Sequence, residues 1–335
     1  MSTKCRELEA VLRETFDNEI PLGSNVALLD YPNHENVGDS AIWLGEMVYL
    51  GERKCSVAYH CDLKSYDPRH LRRHPDAEIL LLHGGGNLGD LWRPHQEFRE
   101  RVLADFPDRA IIQLPQTIYF SSGDNLERTK RSFSRHPRFT LMVRDGKSLD
   151  FARRHFDCRA VLCPDSAFAL GGMVRTQAPR VPVLWLGRTD HESAVTADQI
   201  GFGDGDIEFA DWVGRRSAKP LDLVARAGGE VVGRSMGALA APPQRVLHLL
   251  WREWRRLAEQ RVSAGAEMLS RGSVVVTDRL HAHILCMLLG IPHVVLDNNY
   301  GKLSSFTTTW ETLDELAVWG ESAAQALDLA KNLNR

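Results

Sequence analysis

Short apolar runs alternate with amphipathic stretches through the first half of the chain. Runs such as NVALLD (25–30) and EILLLH (78–83) are almost continuously apolar. Strands that are covered by helices on both faces have this composition, and helical patterns lie between most of the runs. The alternation therefore predicts a parallel sheet with helices on both faces. The predicted strands cover 25–30, 56–60, 78–83, 110–115, 140–144 and 160–164.

A second set of elements follows a segment that contains glycine and proline, 171–182, which we interpret as a linker. We therefore expect two Rossmann-like domains, 1–172 and 173–335, that face a cleft. The last helices are expected to pack back on the first domain. The second set comprises strands at 183–187, 274–277 and 293–296, an inserted polar loop at 189–220, amphipathic helices at 243–270 and 280–289, and one or two helices within 313–333.

Composition excludes some classes of protein. The chain has 335 residues, of which 43% are hydrophobic and 25% charged, as in an ordinary globular protein of about two domains. Its net charge of −3 gives no support for a nucleic-acid partner. Neither an N-terminal signal-peptide run nor a stretch of about 18 apolar residues occurs, so we expect a cytoplasmic protein.

The segment NVGDSAI (36–42) places polar residues after the first predicted strand. A glycine at a helix N-terminus lets backbone amides approach an anion, so Asn36 and Gly38 are candidate substrate contacts. Asp39 can act as a base or orient a hydroxyl group. The alternative is that Asp39 only caps the helix.

A glycine-rich segment, HGGGNLGDLW (83–92), follows the third predicted strand. It formally contains G-x-G-x-x-G, but it is not on the first strand and has no Lys-Ser/Thr of a P-loop, so a dinucleotide site is the weaker interpretation. A tight backbone turn that lines a substrate cleft is the stronger one. The candidate contacts are Gly85, Gly86, Asn87 and Asp90.

Three further polar residues come at or near strand ends, which meet at one edge of a parallel sheet. They are Gln116, Arg144 and Asp165. Arg144 can pair with a carboxylate or phosphate of a substrate. The alternative for Arg144 is a surface ion pair with Asp145 or another neighbour.

The segment TDRLHAH (277–283) and the later Lys302 hold the most informative pattern in the second half. Arg279 and His281 lie at a helix N-terminus directly after a strand, where an anion is favoured and a histidine can transfer a proton. His281 and His283 are two residues apart and so lie on different helix faces. We therefore predict no metal shared between them.

These segments together resemble the polysaccharide pyruvyl transferase family. The matching strings are NVGDSAI (36–42), LLLHGGGNLGDLW (80–92), LPQT (114–117), VRDGKSLDFA (143–152), CPDSAF (163–168), VVTDRLHAHILCMLLGIP (275–292) and LDNNYGK (296–302). The resemblance implies a fold like that of GT-B glycosyltransferases, with phosphoenolpyruvate as donor co-substrate and no other cofactor. The implied acceptor is a sugar of a polysaccharide or of a lipid-linked oligosaccharide.

The resemblance also implies roles for individual residues. Arg279, Leu280 and His281 correspond to the donor site in the second domain, and Arg144 to a second donor arginine. Asp39 corresponds to the acceptor-side carboxylate in the first domain. We assign His281 as general acid, Asp39 as base and Lys302 as supporting charge, although the roles of Asp39 and His281 can be exchanged.

The helix at 243–270 carries Trp251 and Trp254 among several arginines. One interpretation is a peripheral contact with the inner face of the membrane, where a lipid-linked acceptor would lie. The alternative is an aromatic stripe that faces the core and a basic face that faces solvent.

Two other functions remain open. A glycosyltransferase of the same architecture would use a nucleotide sugar, and a non-catalytic relative would only bind sugar. A nicotinamide- or flavin-dependent oxidoreductase is a weaker alternative. Neither the acceptor sugar, its linkage positions nor the oligomeric state follows from the sequence.

Overall fold

A computed structural model describes residues 2–187, 206–212, 244–297 and 300–334. Over these residues the chain forms two parallel sheets, of seven and five strands, each flanked by helices. The predicted α/β architecture with two Rossmann-like units is therefore confirmed. The strands are β1 (Asn25–Leu29), β2 (Ser56–Cys61), β3 (Ile79–Leu82), β4 (Gly85–Gly89), β5 (Ala110–Tyr119), β6 (Phe139–Val143), β7 (Arg159–Leu162), β8 (Val181–Leu186), β9 (Ile207–Ala210), β10 (Gly272–Thr277), β11 (His293–Val295) and β12 (Ala317–Trp319).

The first sheet has the strand order β2-β1-β3-β5-β6-β7, and β4 pairs with the second half of β5. The second has the order β12-β11-β10-β8-β9. Apolar runs such as ILLL of β3 are buried throughout because helices cover both faces of the sheet. The helices are α1 (Thr3–Glu19), α2 (Val37–Glu52), α3 (Pro68–Leu71), α4 (Arg93–Asp105), α5 (Gly123–Ser134), α6 (Gly146–His155), a 3₁₀ helix (Ser166–Leu170), α7 (Gln244–Leu269), α8 (Leu280–Leu289), α9 (Lys302–Trp310) and α10 (Ala323–Leu333).

All six strands predicted in the first half are present, and the glycine-rich segment adds β4, which the sequence did not predict. Glycine is unfavourable in strands, so the segment looked like a turn. Here glycine is required, because Gly89 has a φ of 123° and a Cβ on it would lie 1.7 Å from the carbonyl oxygen of Tyr119. The absence of side chains lets β4 pair closely with β5.

The second half departs from prediction at two strands. β9 lies within the segment that was predicted as an inserted loop, and β12 lies within the terminal segment that was predicted as helical. Both are edge strands of only three or four residues, too short for a clear pattern. Apart from residues 206–212, the predicted loop lies outside the described residues. The predicted boundary at 172/173 falls between the 3₁₀ helix and β8.

The long predicted helix is present as α7 and packs against α2 of the first unit. Trp254 is fully buried and stacks on Tyr31 at 4.5 Å, and the indole nitrogen of Trp251 donates to the carbonyl oxygen of His60. These tryptophans therefore form the aromatic stripe that faces the core, and they are not available to a membrane surface. Among the described helices, none combines the length and apolar character needed to cross a bilayer.

Of the two helices nearest the C-terminus, α9 contacts the first unit, through α6. Ser305 donates to Asp145 at 2.9 Å, and the indole of Trp310 donates to the carbonyl oxygen of Arg144 at 2.8 Å. α10 packs instead on β8, β10 and β11 of the second sheet, which corrects the expected placement of the last helices. As a result, α9 links the second sheet to the carboxyl edge of the first.

Candidate active site

Polar side chains from both units meet beyond the carboxyl ends of the first sheet's strands. The first unit contributes residues that follow β1, β3, β6 and β7, and the second contributes the N-termini of α8 and α9. Ligands bind at this edge in open α/β sheets. The residues that come together are Asp39, Gly86, Arg144, Asp165, His281 and Lys302.

Asp39 lies in the first turn of α2 but does not cap it. The cap is Asn36, whose side-chain oxygen accepts from the backbone N–H of Gly38 at 2.8 Å. The carboxylate of Asp39 is left partly exposed at 24% and lies 3.5 Å from Nε2 of His34. Burial acts to raise the pKa of Asp39, but electrostatic interactions with His34, His281, His83 and Arg144 outweigh burial and lower it. Asp39 is therefore ionised and available to a ligand.

Gly38 allows His281 to approach α2. A Cβ at this glycine would lie 2.3 Å from Nδ1 of His281, far closer than atoms can pack. The ring of His281 thus lies directly against the first turn of α2, although it belongs to the other unit. The imidazole occupies the space that a side chain at position 38 would fill.

Arg144 is buried and held on two sides. Its Nε donates to Thr117 at 2.9 Å, and its Nη1 donates to Asp165 at 2.6 Å. The partner is thus Asp165 rather than Asp145, and the pair is buried rather than on the surface. Asp145 instead caps α6 by accepting from the backbone of Ser148.

His281 joins this pair from the second unit. Its Nε2 lies 3.3 Å from Nη1 of Arg144 and 3.4 Å from Oδ2 of Asp165. Burial would raise the pKa of the Asp165 carboxyl, but the charges of His281 and Arg144 lower it strongly. Asp165 is therefore a fixed negative charge between an arginine and a histidine.

Gly86 marks a point where two cations converge. A Cβ on it would lie 2.9 Å from Nη2 of Arg144 and 3.8 Å from Nζ of Lys302. The Nη2 atom is not the one that binds Asp165, so the guanidinium presents a second edge toward Gly86. An arginine edge and an ammonium group around a bare backbone are suited to a carboxylate or phosphate.

Several predicted contact residues have other roles in the structure. Gln116 is fully buried and donates to His83 and Asn87, so it positions β4 instead of facing the cleft. Asp90 accepts from the backbone of Ser121 and holds the loop after β5. Leu280 belongs to the apolar core.

Asn87 and Gly85 are two further predicted contacts of the glycine-rich segment. The side-chain oxygen of Asn87 is used internally, since it accepts from Arg99 at 2.9 Å. A Cβ at Gly85 would lie 3.6 Å from Oδ1 of Asp39. Gly85 therefore forms the wall beside the Asp39 carboxylate.

Arg279 lies at the carboxyl edge of the second sheet. It forms an ion pair with Asp211, its Nε donates to the carbonyl oxygen of Gly187 at 3.3 Å, and its guanidinium lies 5.7 Å from the ring centre of Trp212. Its described partners thus belong to the second unit. Arg144 and His281, in contrast, both contact Asp165 of the first unit.

Sequence reasoning missed a second layer of polar residues beneath this site. Nδ1 of His83 and Oε2 of Glu46 are 2.8 Å apart in the core, and the other oxygen of Glu46 accepts from Gly84. His95 binds the buried carboxylate of Asp30 at 2.8 Å. Asp30 and His83 directly follow the apolar strands β1 and β3. Their positions directly after these strands could have identified them as candidates from the sequence. Thr117 and His34 were missed because neither follows such a strand directly.

The sequence of this chain is similar to that of a known protein family. The chain matches the family Polysaccharide pyruvyl transferase over residues 36–300. It belongs to that family. The matched region includes every residue that converges at the site except Lys302, which follows it by two positions.

Two relatives extend the similarity along most of the chain. Pyruvyl transferase 1 of Schizosaccharomyces pombe is 32% identical over 331 residues, which cover 92% of this chain and 76% of the relative. A Bacillus subtilis protein named "Putative pyruvyl transferase EpsO" is 33% identical over 295 residues and 87% of each chain. The crystal structure of an uncharacterized Klebsiella pneumoniae protein covers 96% of this chain and 100% of its own, with a TM-score of 0.57 at 16% identity, which supports the fold alone.

Proposed function

We propose that this pyruvyl transferase family member transfers pyruvate from phosphoenolpyruvate to two hydroxyl groups of one sugar, forming a cyclic ketal. The observation that carries the proposal is the convergence of Arg144 and Lys302 at Gly86, with His281 beside Arg144. Phosphoenolpyruvate combines a carboxylate with a phosphate, and two cations around a bare backbone match that charge. The acceptor hydroxyl approaches from the side of Asp39.

Ketal formation adds one proton to the methylene carbon of phosphoenolpyruvate and removes one proton from each of the two acceptor hydroxyl groups. The released phosphate takes up the remaining proton. His281 gives a proton to the methylene carbon, which makes the neighbouring carbon electrophilic. The first hydroxyl oxygen bonds to that carbon, and its proton passes to Asp39. Asp39 then donates this proton to the departing phosphate. The second hydroxyl displaces the phosphate and its proton restores His281. General acid–base steps of this kind contribute roughly 10²–10⁴-fold each.

The remaining roles are electrostatic and belong to Arg144, Lys302 and Arg279. Arg144 and Lys302 bind the donor anion, and the Arg144 edge at Gly86 remains directed there while Nη1 holds Asp165. Arg279 contributes positive charge at the carboxyl edge of the second sheet, where it pairs with Asp211.

The test is to incubate the purified protein with phosphoenolpyruvate and a panel of saccharides that carry neighbouring free hydroxyl groups. The proposal predicts phosphate release only when both are present, and a new ketal carbon in the carbon NMR spectrum of the sugar. Sugar transfer from a nucleotide sugar, with no reaction of phosphoenolpyruvate, would assign the protein to glycosyl transfer instead. The same panel identifies the acceptor.

A further inference from the structure

Asp165 connects the two units of the site, and its role differs from the substrate contact that the sequence predicted. It follows β7 of the first sheet and is fully buried, so it cannot reach a ligand directly. Its Oδ1 accepts from the backbone N–H of Ala167 at 2.9 Å, which fixes the carboxylate at the start of the 3₁₀ helix. Its Oδ2 faces both Arg144 and His281.

The ring orientation of His281 decides which nitrogen can act. Nδ1 is pressed against Gly38, where a Cβ would come within 2.3 Å. Nε2 is the nitrogen on the side of Arg144 and therefore of the cation pair at Gly86. A proton that moves to a donor molecule bound there has to leave from Nε2.

Two neighbours of Nε2 have opposite effects on that proton. The guanidinium of Arg144 at 3.3 Å disfavours a positive imidazole, and the carboxylate of Asp165 at 3.4 Å favours it. Without the carboxylate, the arginine alone would push Nε2 toward the deprotonated form. Among the described residues, the charged or titratable groups near this imidazole are Arg144, Asp165 and Asp39, with His34 and His83 near Asp39. Lys302 on α9 lies across Gly86 from Arg144, and Asp278 and Arg279 immediately precede α8 in the chain.

We propose that Asp165 is a positioning residue that keeps the catalytic proton on Nε2 of His281. The inference rests on the proposed function, in which His281 is the general acid. The acid is carried by the second unit and the carboxylate that holds its proton by the first. His281 is therefore competent as an acid only while the two units are in contact at Gly38 and Asp165.

The first experiment is the pH dependence of kcat/KM in wild type and Asp165→Asn. A general acid loses activity where it deprotonates, so the alkaline limb of the profile reports His281. Removal of the carboxylate while Arg144 remains should move that limb to lower pH by about one unit or more. A role in folding alone would lower the rate at every pH and leave the limb in place, which would overturn the proposal.

Asp145→Asn is the matched control. Asp145 is equally buried at the same sheet edge, but it binds Ser148, Thr117 and Ser305 and not the imidazole. Its variant should leave the alkaline limb unmoved. A shift as large in Asp145→Asn as in Asp165→Asn would show that any buried charge at this edge has the effect, and would contradict a specific role.

A second measurement does not depend on whether Asp165→Asn folds. The ring nitrogens of His281 in the wild-type protein are observed by NMR with labelled histidine, and assigned by comparison with His281→Gln. The proposal expects the proton on Nε2 at neutral pH. An unprotonated Nε2 that accepts from Arg144 would overturn it. Ketal formation by wild type is measured separately, so failure of the proposed function is distinguishable from failure of this role.

Discussion

The two faces of α8 give the same residue type opposite environments. His281 lies on the face toward the first unit, 13% exposed and beside Arg144 and Asp165. His283, two residues later, is fully buried on the other face, against His293 of β11. The comparison shows that the direction of a side chain, and not its presence in a motif, decides whether a histidine can transfer protons.

On the buried face, the hydrogen-bond partners determine which ring nitrogen of each histidine carries the proton. Nδ1 of His293 lies 2.8 Å from the carbonyl oxygen of Ile291, which can only accept, so Nδ1 carries a hydrogen. Its Nε2 then accepts from Nδ1 of His283 at 2.7 Å, and Nε2 of His283 accepts from the hydroxyl of Thr312 at 2.8 Å. Burial lowers the pKa of both histidines, that of His293 to about 4. This face is neutral and structural.

The comparison is tested most severely by His281→Ala. Loss of the general acid should lower kcat by roughly 10²–10⁴-fold. The melting temperature should stay near that of wild type, because the ring contributes little to the core. A loss of less than tenfold in a folded variant would remove His281 from the chemistry.

Gly38→Ala should act on the same imidazole from the other unit. The added methyl group would collide with Nδ1 of His281, so we expect kcat to fall by about tenfold or more while alanine itself suits the helix. Gly51→Ala is the matched control, since Gly51 is on the same helix and a Cβ there meets nothing within 4 Å. Equal activity in the two variants would contradict the close contact.

His283→Ala should show the opposite behaviour. It leaves His293 and Thr312 without their partner and opens a cavity, so we expect the free energy of unfolding to fall by about 1–3 kcal/mol. Denaturant unfolding measures this change. The kcat of the folded fraction should remain within a few-fold of wild type, and a loss as large as that of His281→Ala would mean that the two faces are not independent.

The last prediction concerns the pH dependence of stability. The pKa of His293 is lower in the folded protein than the usual value near 6.5, so the unfolded chain takes up the proton more readily. Its contribution is therefore fully present above about pH 6.5 and is lost as the pH falls toward 4. Unfolding free energies at several pH values should fall less steeply in His293→Gln than in wild type; equal slopes would contradict the buried, neutral assignment.

The sequence was sufficient for most of the framework. All six strands of the first half, the long helix α7 and the separation of His281 from His283 follow from apolar periodicity and spacing. β4 was not predictable because its pairing with β5 depends on the absence of a side chain at Gly89 and on the positive φ of Gly85 and Gly89. Propensity counts glycine against a strand.

The site was predictable as a set of residues but not as a set of contacts. Arg144, Asp165 and His281 were each singled out by their positions after strands. Their mutual bonds span 21 and 137 positions along the chain, and local pattern has no information over that separation. Gln116 illustrates the converse, because its position after an apolar run resembles that of a ligand contact although its side chain is buried and bonded internally.

The most direct test of the central claim is calorimetric titration of phosphoenolpyruvate into wild type, Arg144→Gln, Lys302→Met and Arg279→Gln. The account predicts binding by wild type and a dissociation constant raised about tenfold or more in Arg144→Gln and in Lys302→Met, since each removes a charge-assisted contact. Wild-type affinity in both of these variants, with binding lost only in Arg279→Gln, would place the donor at the second sheet and contradict the site at Gly86.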